Sequence, residues 1–199
     1  MTERAAFLDN WLEVGSNDLD PRFDSFPAHP TASMSTIQCV RGSSSSGGSD
    51  LKALIDSLLQ IARRRFRVAT VYFVPDDNLV EGLCDAARRG VQVQPLLPVP
   101  HADKRFVQME GEADYGRLMA AGVELWNFQP SMLHAKIMTV DGVIANVGSA
   151  NFNTRSLECD EEFNMVLFDP SVVSTLDDHF DADLGRSVRI DLFDGSIDR

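Results

Sequence analysis

A histidine, a lysine and several hydrogen-bonding side chains lie close together in one stretch of the chain, at His134, Lys136, Asp141, Ser149 and Asn151. A neutral imidazole can attack phosphorus and form a covalent phosphohistidine, which divides one difficult displacement into two easier ones. The lysine supplies a positive charge to a phosphate, and the serine and asparagine side chains donate to its oxygens as negative charge develops. This scheme needs neither a metal ion nor a cofactor, and we expect neither.

The run 133–140 predicts a β-strand that presents the two basic side chains together. Because side chains alternate between the two faces of a strand, His134, Lys136 and Met138 should share one face. An imidazole and an ammonium group would then lie side by side, within reach of one anion. An unpaired ammonium group is costly to bury, so the pattern favours a reactive site over ordinary core packing.

A hairpin should return the chain to these two residues. The pair Asp141-Gly142 is a strong hairpin signal, and residues 143–147 have the pattern of a returning strand. Small residues follow at 148–151, where backbone N–H groups can approach a ligand closely. The hairpin should therefore bring Ser149 and Asn151 back toward the histidine and the lysine.

The spacing of these residues resembles the signature of the phospholipase D superfamily, in the form His134-x-Lys136-x4-Asp141-x6-Gly148-Ser149-x-Asn151. The resemblance implies that the histidine is the catalytic nucleophile or its acid/base partner. It implies that Lys136, Ser149 and Asn151 bind the substrate phosphate. It gives Asp141, within the catalytic set, a mainly structural or orienting role.

The resemblance also implies a downstream carboxylate that holds the histidine in position. By its offset from the segment 155–157, Glu162 is the best match for this carboxylate, with Glu161 as the neighbouring candidate. Chemistry agrees with this expectation, because a histidine base needs a group that fixes its orientation. We therefore expect Glu162 to orient His134 as part of the catalytic set.

Further segments resemble the second half of bacterial cardiolipin synthases, and the similarity covers most of residues 35–190: 67–76, 79–91, 115–123, 132–136 and 153–157. Enzymes of that kind transfer a phosphatidyl group between lipids through a phosphatidyl-histidine intermediate. The resemblance implies a phospholipid substrate, phosphatidylglycerol or similar, and a cytoplasmic enzyme peripheral to the inner membrane. No apolar run approaches the length of a membrane span, which fits peripheral contact.

Cardiolipin synthases carry two copies of the motif, whereas this chain carries one. Residues 1–33, a short helix and an irregular segment, are interpreted as the remnant of a first half, and 34–199 as a one-motif catalytic domain. The active site would then be half-formed, and completed by a missing N-terminal half or by a second copy in a homodimer. A dimeric one-motif phosphodiesterase or nuclease is one alternative, and a non-catalytic homologue that binds phosphate groups is another.

Charge argues against nucleic acid as a partner, because the net charge is −12 and phosphate contacts require lysine and arginine. Basic residues cluster at 63–67 and 88–89, and we interpret both clusters as solvated ends of helices, with contact to a lipid headgroup as the alternative. His101 and His179 are expected at the surface. The acidic cluster near the C terminus is interpreted as the solvent face of a helix and comprises Asp177, Asp178, Asp181 and Asp183.

Strands and helices alternate along the chain, which predicts an α/β fold with a mixed β-sheet layered between helices. Strands are expected at 34–40, 68–74, 91–97, 123–128, 133–140, 143–147 and 163–168. Helices are expected at 51–64, 77–89, 113–121 and 171–184. The serine- and glycine-rich run 41–50 is expected to be a surface loop.

Overall fold

The computed structural model describes residues 36–42, 50–99 and 114–191, in which strands and helices alternate. The strands are β1 (Ile37–Gly42), β2 (Arg65–Thr70), β3 (Phe73–Val74), β4 (Gln92–Pro98), β5 (Trp126–Phe128), β6 (Lys136–Val140), β7 (Ile144–Gly148), β8 (Phe152–Asn153), β9 (Glu162–Leu167) and β10 (Ser187–Arg189). The helices are α1 (Asp50–Ile61), α2 (Asp77–Arg88), α3 (Tyr115–Ala120), α4 (Thr154–Glu158) and α5 (Pro170–Leu184). The predicted mixed sheet between helices is confirmed.

Eight strands form one sheet in the order β1-β9-β7-β6-β2-β4-β5-β10, and β3 and β8 form a separate parallel pair. Strands β2, β4 and β5 run parallel, whereas their neighbours on both sides are antiparallel. The end of β2 lies beside the start of β6, because Thr70 pairs with Lys136. The end of β7 lies beside the start of β9, because Gly148 pairs with Asn164. We call this side of the sheet, where β2, β4 and β5 end, the carboxyl edge.

Helices α1 and α2 pack their apolar faces against one side of the sheet. Their buried residues recur three or four positions apart, as expected for one face of a helix: Leu51, Ile55, Leu58 and Leu59 in α1, and Leu79, Val80 and Leu83 in α2. They form one cluster with side chains of the sheet, among them Phe66, Val68, Met138 and Val166. Each large apolar side chain contributes about 1.5–3 kcal/mol when fully buried, so this layer holds β2, β6 and β9 firmly in place.

Helix α5 covers the other face of the sheet through buried ion pairs. Arg67 in β2 is 3% exposed and Asp177 in α5 is 6% exposed. The Asp177 carboxylate accepts from Arg65 Nη2 at 2.6 Å and from Arg67 Nη1 at 3.2 Å. It also accepts from the Thr139 hydroxyl at 2.7 Å, while Asp181 pairs with Arg67 Nη2. The network joins α5 to β2 and to β6, the strand that carries Lys136.

Two expectations about these charges are wrong. Arg67 does not lie at a solvated helix end, because α1 stops at Ile61 and strand alternation turns Arg67 toward α5. Asp177 does not belong to a solvent face, because it points from α5 onto the sheet. Both groups can be buried because the opposite charge and the hydrogen bonds compensate for lost hydration. Asp178 and His179 are exposed, as predicted.

The predicted strand 68–74 is in fact two strands, with a break after Thr70. The Thr70 hydroxyl donates to the Tyr72 carbonyl oxygen at 3.1 Å and accepts from the Phe152 N–H at 3.2 Å. Strand β3 then pairs with β8, and the rings of Phe73 and Phe152 stack with their centroids 5.4 Å apart. This break brings the segment after β2 next to the turn that follows β7.

The remaining boundaries differ from the predicted ones by up to three residues, because periodicity does not define where an element ends. Strand β6, for example, begins at Lys136 rather than at position 133. The elements β8, α4 and β10 are too short to produce a periodic pattern. The expectations for residues 1–33, for His101 and for most of the run 41–50 lie outside the described residues. Within the described ranges, no helix is long and apolar enough to cross a membrane.

Candidate active site

His134 and Lys136 are in contact at the carboxyl edge. His134 lies two residues before Lys136 and is exposed, and Lys136 is the first residue of β6 and is half-buried. The Lys136 Nζ lies 3.1 Å from Nδ1 of the imidazole and 3.2 Å from the His134 carbonyl oxygen. The Lys136 Nζ is also 3.4 Å from Nε2, so the ammonium group lies beside the imidazole ring, as the spacing of the two residues predicts. The two side chains can contact one anion together, and a ring nitrogen is the group that can attack phosphorus.

The charge on Lys136 depends on its surroundings. Partial burial lowers the pKa of its ammonium group below the ordinary value, while electrostatic interactions with Glu162 and Tyr72 act in the opposite direction. A bound phosphate would add a further negative charge and favour the ammonium form. The motif spacing does not indicate Tyr72, which follows a strand that ends at the carboxyl edge.

Ser149 and Glu162 meet where β7 ends and β9 begins. The Ser149 hydroxyl donates to the Glu162 carboxylate and accepts from the Phe163 N–H at 3.0 Å. The Ser149 N–H donates to the Phe163 carbonyl oxygen, also at 3.0 Å. Among the described residues, Glu162 thus bonds to Ser149 rather than to His134, and its orienting role stays a prediction. The neighbouring candidate, Glu161, pairs with Arg41 at 3.1 Å.

Asn151 lies at the end of the same turn and faces α4. Its Nδ2 donates to the Ser156 hydroxyl at 3.3 Å, and its second N–H is left for another acceptor. The Asn151 Oδ1 is buried and has no hydrogen-bond partner within the described part of the chain. Ser149 and Asn151 thus follow the end of β7, which lies beside the start of β6 because Val147 pairs with Ile137, as the predicted hairpin requires.

Asp141 lies at the other end of β6, in the hairpin turn. Asp141 and Gly142 have φ values of +54° and +75°, as a type I′ turn requires. The carboxylate accepts from the backbone N–H groups of residues 63, 64 and 65 at 2.8, 2.7 and 2.8 Å. Partial burial raises its pKa, but these hydrogen bonds outweigh that effect and lower the pKa below the usual value. Asp141 therefore fastens the α1–β2 connection to the hairpin, about 16 Å along the strand from Lys136.

Comparison with known proteins agrees with this geometry. A family model described as "Cardiolipin synthase, PLD-like domain" matches residues 55–184. The chain belongs to this family. Cardiolipin synthase 2 of Bacillus cereus is 31% identical to this phospholipase D-like domain over 185 residues, which cover 92% of the chain and 36% of the relative. The probable cardiolipin synthase YwiE of Bacillus subtilis is 31% identical over 193 residues, covering 95% of the chain and 37% of the relative.

Solved structures support the same fold. Nuc of Salmonella typhimurium, a phospholipase D family member, has a TM-score of 0.66 at 20% identity and covers 78% of this chain and 99% of its own. The phosphatidylserine synthase of Haemophilus influenzae has a TM-score of 0.62 at 14% identity, over 78% of this chain and 40% of its own. The domain spans little more than a third of the length of the cardiolipin synthases that it matches.

Proposed function

We propose that this phospholipase D-like domain transfers phosphatidyl groups between phospholipids, as one half of a cardiolipin-synthase-like active site. The observation that carries the proposal is the contact between His134 and Lys136 at the carboxyl edge, on the same side of the sheet as the Ser149 turn. The relatives named as cardiolipin synthases support a lipid phosphodiester as the substrate. Phosphatidylglycerol or a similar phospholipid, met at the surface of the inner membrane, fits this assignment.

The proposed reaction has two steps. A ring nitrogen of His134 attacks the lipid phosphorus, the bond from phosphorus to the headgroup oxygen breaks, and the headgroup alcohol leaves with a proton from a general acid. The hydroxyl group of a second lipid then attacks the same phosphorus, its proton passes to a general base, and the phosphorus–nitrogen bond breaks. With phosphatidylglycerol as donor and acceptor, the products are cardiolipin and glycerol.

The other site residues would bind and stabilise the phosphate. The Lys136 ammonium group neutralises charge on the phosphate oxygens, and the side chains of Ser149 and Asn151 donate hydrogen bonds to them. A hydroxyl that donates to a phosphate must leave its present acceptor, the Glu162 carboxylate. Glu162 would then be available to orient His134, which is the role that we propose for it.

The half-site proposal concerns the proton that the leaving group needs. The only other histidine in the described ranges is His179, which is exposed on α5. We propose that a second motif histidine, from a missing N-terminal half or from a second copy of the chain, supplies this proton. The short span of the chain relative to the curated cardiolipin synthases supports the missing half.

The direct test uses the purified chain and vesicles of phosphatidylglycerol labelled in the phosphatidyl group. We expect label to attach covalently to the protein, about 10²–10⁴-fold more slowly where water must replace the second histidine as the general acid, and cardiolipin and glycerol to form where that histidine is present. His134→Ala should abolish labelling, whereas His179→Ala, which changes an exposed histidine outside the motif, should leave it intact. Labelling that survives His134→Ala would refute the proposal.

Molecular mass in solution distinguishes the alternatives. A monomer that becomes labelled but forms no cardiolipin supports a missing N-terminal half, and a dimer that turns over supports the homodimer. Cleavage of a simple phosphodiester or of DNA, without transfer between lipids, would favour the dimeric phosphodiesterase or nuclease instead. Binding of inorganic phosphate without any labelling would show a non-catalytic homologue and overturn the proposed activity.

A further inference from the structure

Two buried amide side chains lie in the apolar layer behind the motif. Asn164 in β9 is 1% exposed and Asn146 in β7 is 2% exposed. Asn146 is the cross-strand partner of Met138 and of Val166, which belong to the core cluster under α1 and α2. A buried amide in such surroundings is unfavourable unless its polar atoms are bonded. Their positions therefore require an explanation that apolar packing does not supply.

The hydrogen bonds of Asn164 lead to the motif turn. Its Oδ1 accepts from the Ala150 N–H at 3.3 Å, and its Nδ2 donates to Asn146 Oδ1 at 3.1 Å. The Asn146 Nδ2 lies 3.9 Å from Met138 Sδ on β6. Ala150 is the residue between Ser149 and Asn151, and it is itself 2% exposed. Its buried N–H finds its acceptor in the Asn164 side chain and in no other group of the described chain.

The close approach of Asn164 also explains the glycine of the motif. A Cβ atom at position 148 would overlap the Asn164 side chain and the Phe163 carbonyl oxygen. Glycine is therefore required at this position by the neighbouring strand, without any need for a positive φ. Because Gly148 directly precedes Ser149, Asn164 contacts the turn on both sides of the serine.

We propose that Asn164 is a positioning residue of the phosphate site: its amide fixes the backbone of residues 148–150 and so aims the Ser149 and Asn151 side chains. The inference rests on the proposed function, because it assigns phosphate binding to this turn. Asn164 does not touch the substrate. Nothing in the motif spacing selects it, since the signature ends at Asn151 and Asn164 follows on another strand.

Three variants separate positioning from stability. Asn164→Leu keeps the shape of the side chain but removes the acceptor of the Ala150 N–H. Asn146→Leu combined with Asn164→Leu replaces both amides by apolar groups of similar shape, which should recover part of the stability: the Asn146 side chain is no longer left unpaired, whereas the Ala150 N–H still lacks its acceptor. Val166→Ala is the matched control, because Val166 lies two residues further along β9, is 1% exposed and belongs to the same core.

Two measurements apply to each variant: hydrogen exchange of the Ala150 amide, and affinity for inorganic phosphate by titration of backbone amide signals. In Asn164→Leu and in the double variant we expect Ala150 exchange to be faster and phosphate affinity to be weaker, each by about tenfold, as for one lost hydrogen bond. In Val166→Ala we expect lower stability and unchanged phosphate affinity. The exchange rate of the Ala150 amide should be unchanged relative to the exchange rates of the β7 amides.

Two results would overturn the inference. One is an Asn164→Leu protein in which the Ala150 exchange rate and the phosphate affinity are the same as in the wild type. The other is a double variant that recovers both quantities together with stability, because Asn164 would then act on stability alone. If the wild-type protein binds no phosphate, the proposed function fails, and Ala150 exchange alone then decides whether Asn164 fixes the turn.

Discussion

Replacement of Asp141 should destabilise the fold without removing the phosphate site. Its carboxylate accepts the N–H groups of residues 63–65, and the first two of these residues are exposed, so that water can replace the lost acceptor there. Hydrogen bonds to charged groups contribute about 1.5–3 kcal/mol each when buried, so we take about 3 kcal/mol for the three bonds together. Asp141→Ala should cost about 1 kcal/mol more, because alanine is disfavoured at a positive φ, and Asp141→Gly should recover that part.

The charge of Asp141 can be separated from its shape with Asp141→Asn. Asparagine tolerates the positive φ and still accepts hydrogen bonds, so the expected loss is about 1–2 kcal/mol. Because the folded-state pKa of Asp141 is lowered, its contribution is present above the unfolded-state pKa of about 4 and is lost as the pH falls through the folded-state pKa. The difference in unfolding free energy between wild type and Asp141→Asn should therefore be constant near neutral pH and shrink below about pH 4.

Urea unfolding at pH 7 and at pH 3 measures this difference. The matched control is Asp178→Asn, which neutralises an exposed carboxylate on α5 and should leave stability nearly unchanged. Affinity for inorganic phosphate, measured on the same proteins, should match that of the wild type. An Asp141→Asn protein with wild-type stability and no phosphate affinity would refute the reasoning, because the carboxylate would then act on the ligand rather than on residues 63–65.

Three further predictions concern other parts of the site and its support. Lys136→Met should weaken inorganic phosphate binding by at least about tenfold, because a charge-assisted hydrogen bond is lost; a titration with unchanged affinity would contradict this. Gly148→Ala should lower the unfolding free energy by about 3 kcal/mol, the upper part of the range for overpacking, since the added methyl group meets Asn164 and backbone; a cost under about 1 kcal/mol would show that β9 can move aside. Asp177→Ala should cost about 3–5 kcal/mol in urea unfolding because it leaves Arg67 buried with fewer partners, and a neutral effect would mean that Asp181 alone compensates for the charge.

Local patterns were sufficient to predict the hairpin and the outline of the fold. The pair Asp141-Gly142 and the flanking β-branched residues define a turn and two strands from neighbouring positions alone. The same hairpin pattern predicts that Ser149 returns toward Lys136, since antiparallel pairing fixes which residues face each other. The contact between His134 and Lys136 follows from their spacing, even though β6 begins only at Lys136.

Contacts between distant segments could not be predicted in this way. Arg67 is buried because Asp177 lies opposite it on α5, 110 residues later in the chain, and no local pattern pairs the two. The hydrogen bond between Glu162 and Ser149 depends on the β7–β9 register, which places Phe163 beside that serine and which the motif spacing does not reveal. In the sequence, Asn164 looks like any other polar residue of a strand. Only its hydrogen bond from the Ala150 N–H, which the structure shows, connects it with the motif turn.

The strands that carry the motif are neighbours along the chain as well as in the sheet. Strands β6, β7 and β9 all lie between Lys136 and Leu167, with only the short β8 and α4 between β7 and β9. Strand β2 joins them through pairs such as Phe66 and Val140, which are far apart in sequence. Short loops close with less loss of chain entropy than long ones, so we expect the β6–β7 hairpin to form early in folding and the docking of β2 to follow. Substitutions in the hairpin should then slow folding, and substitutions at the contact between strands β2 and β4 should mainly speed unfolding. On this order of events, the hairpin that leads to the proposed phosphate site folds before the core that supports it is complete.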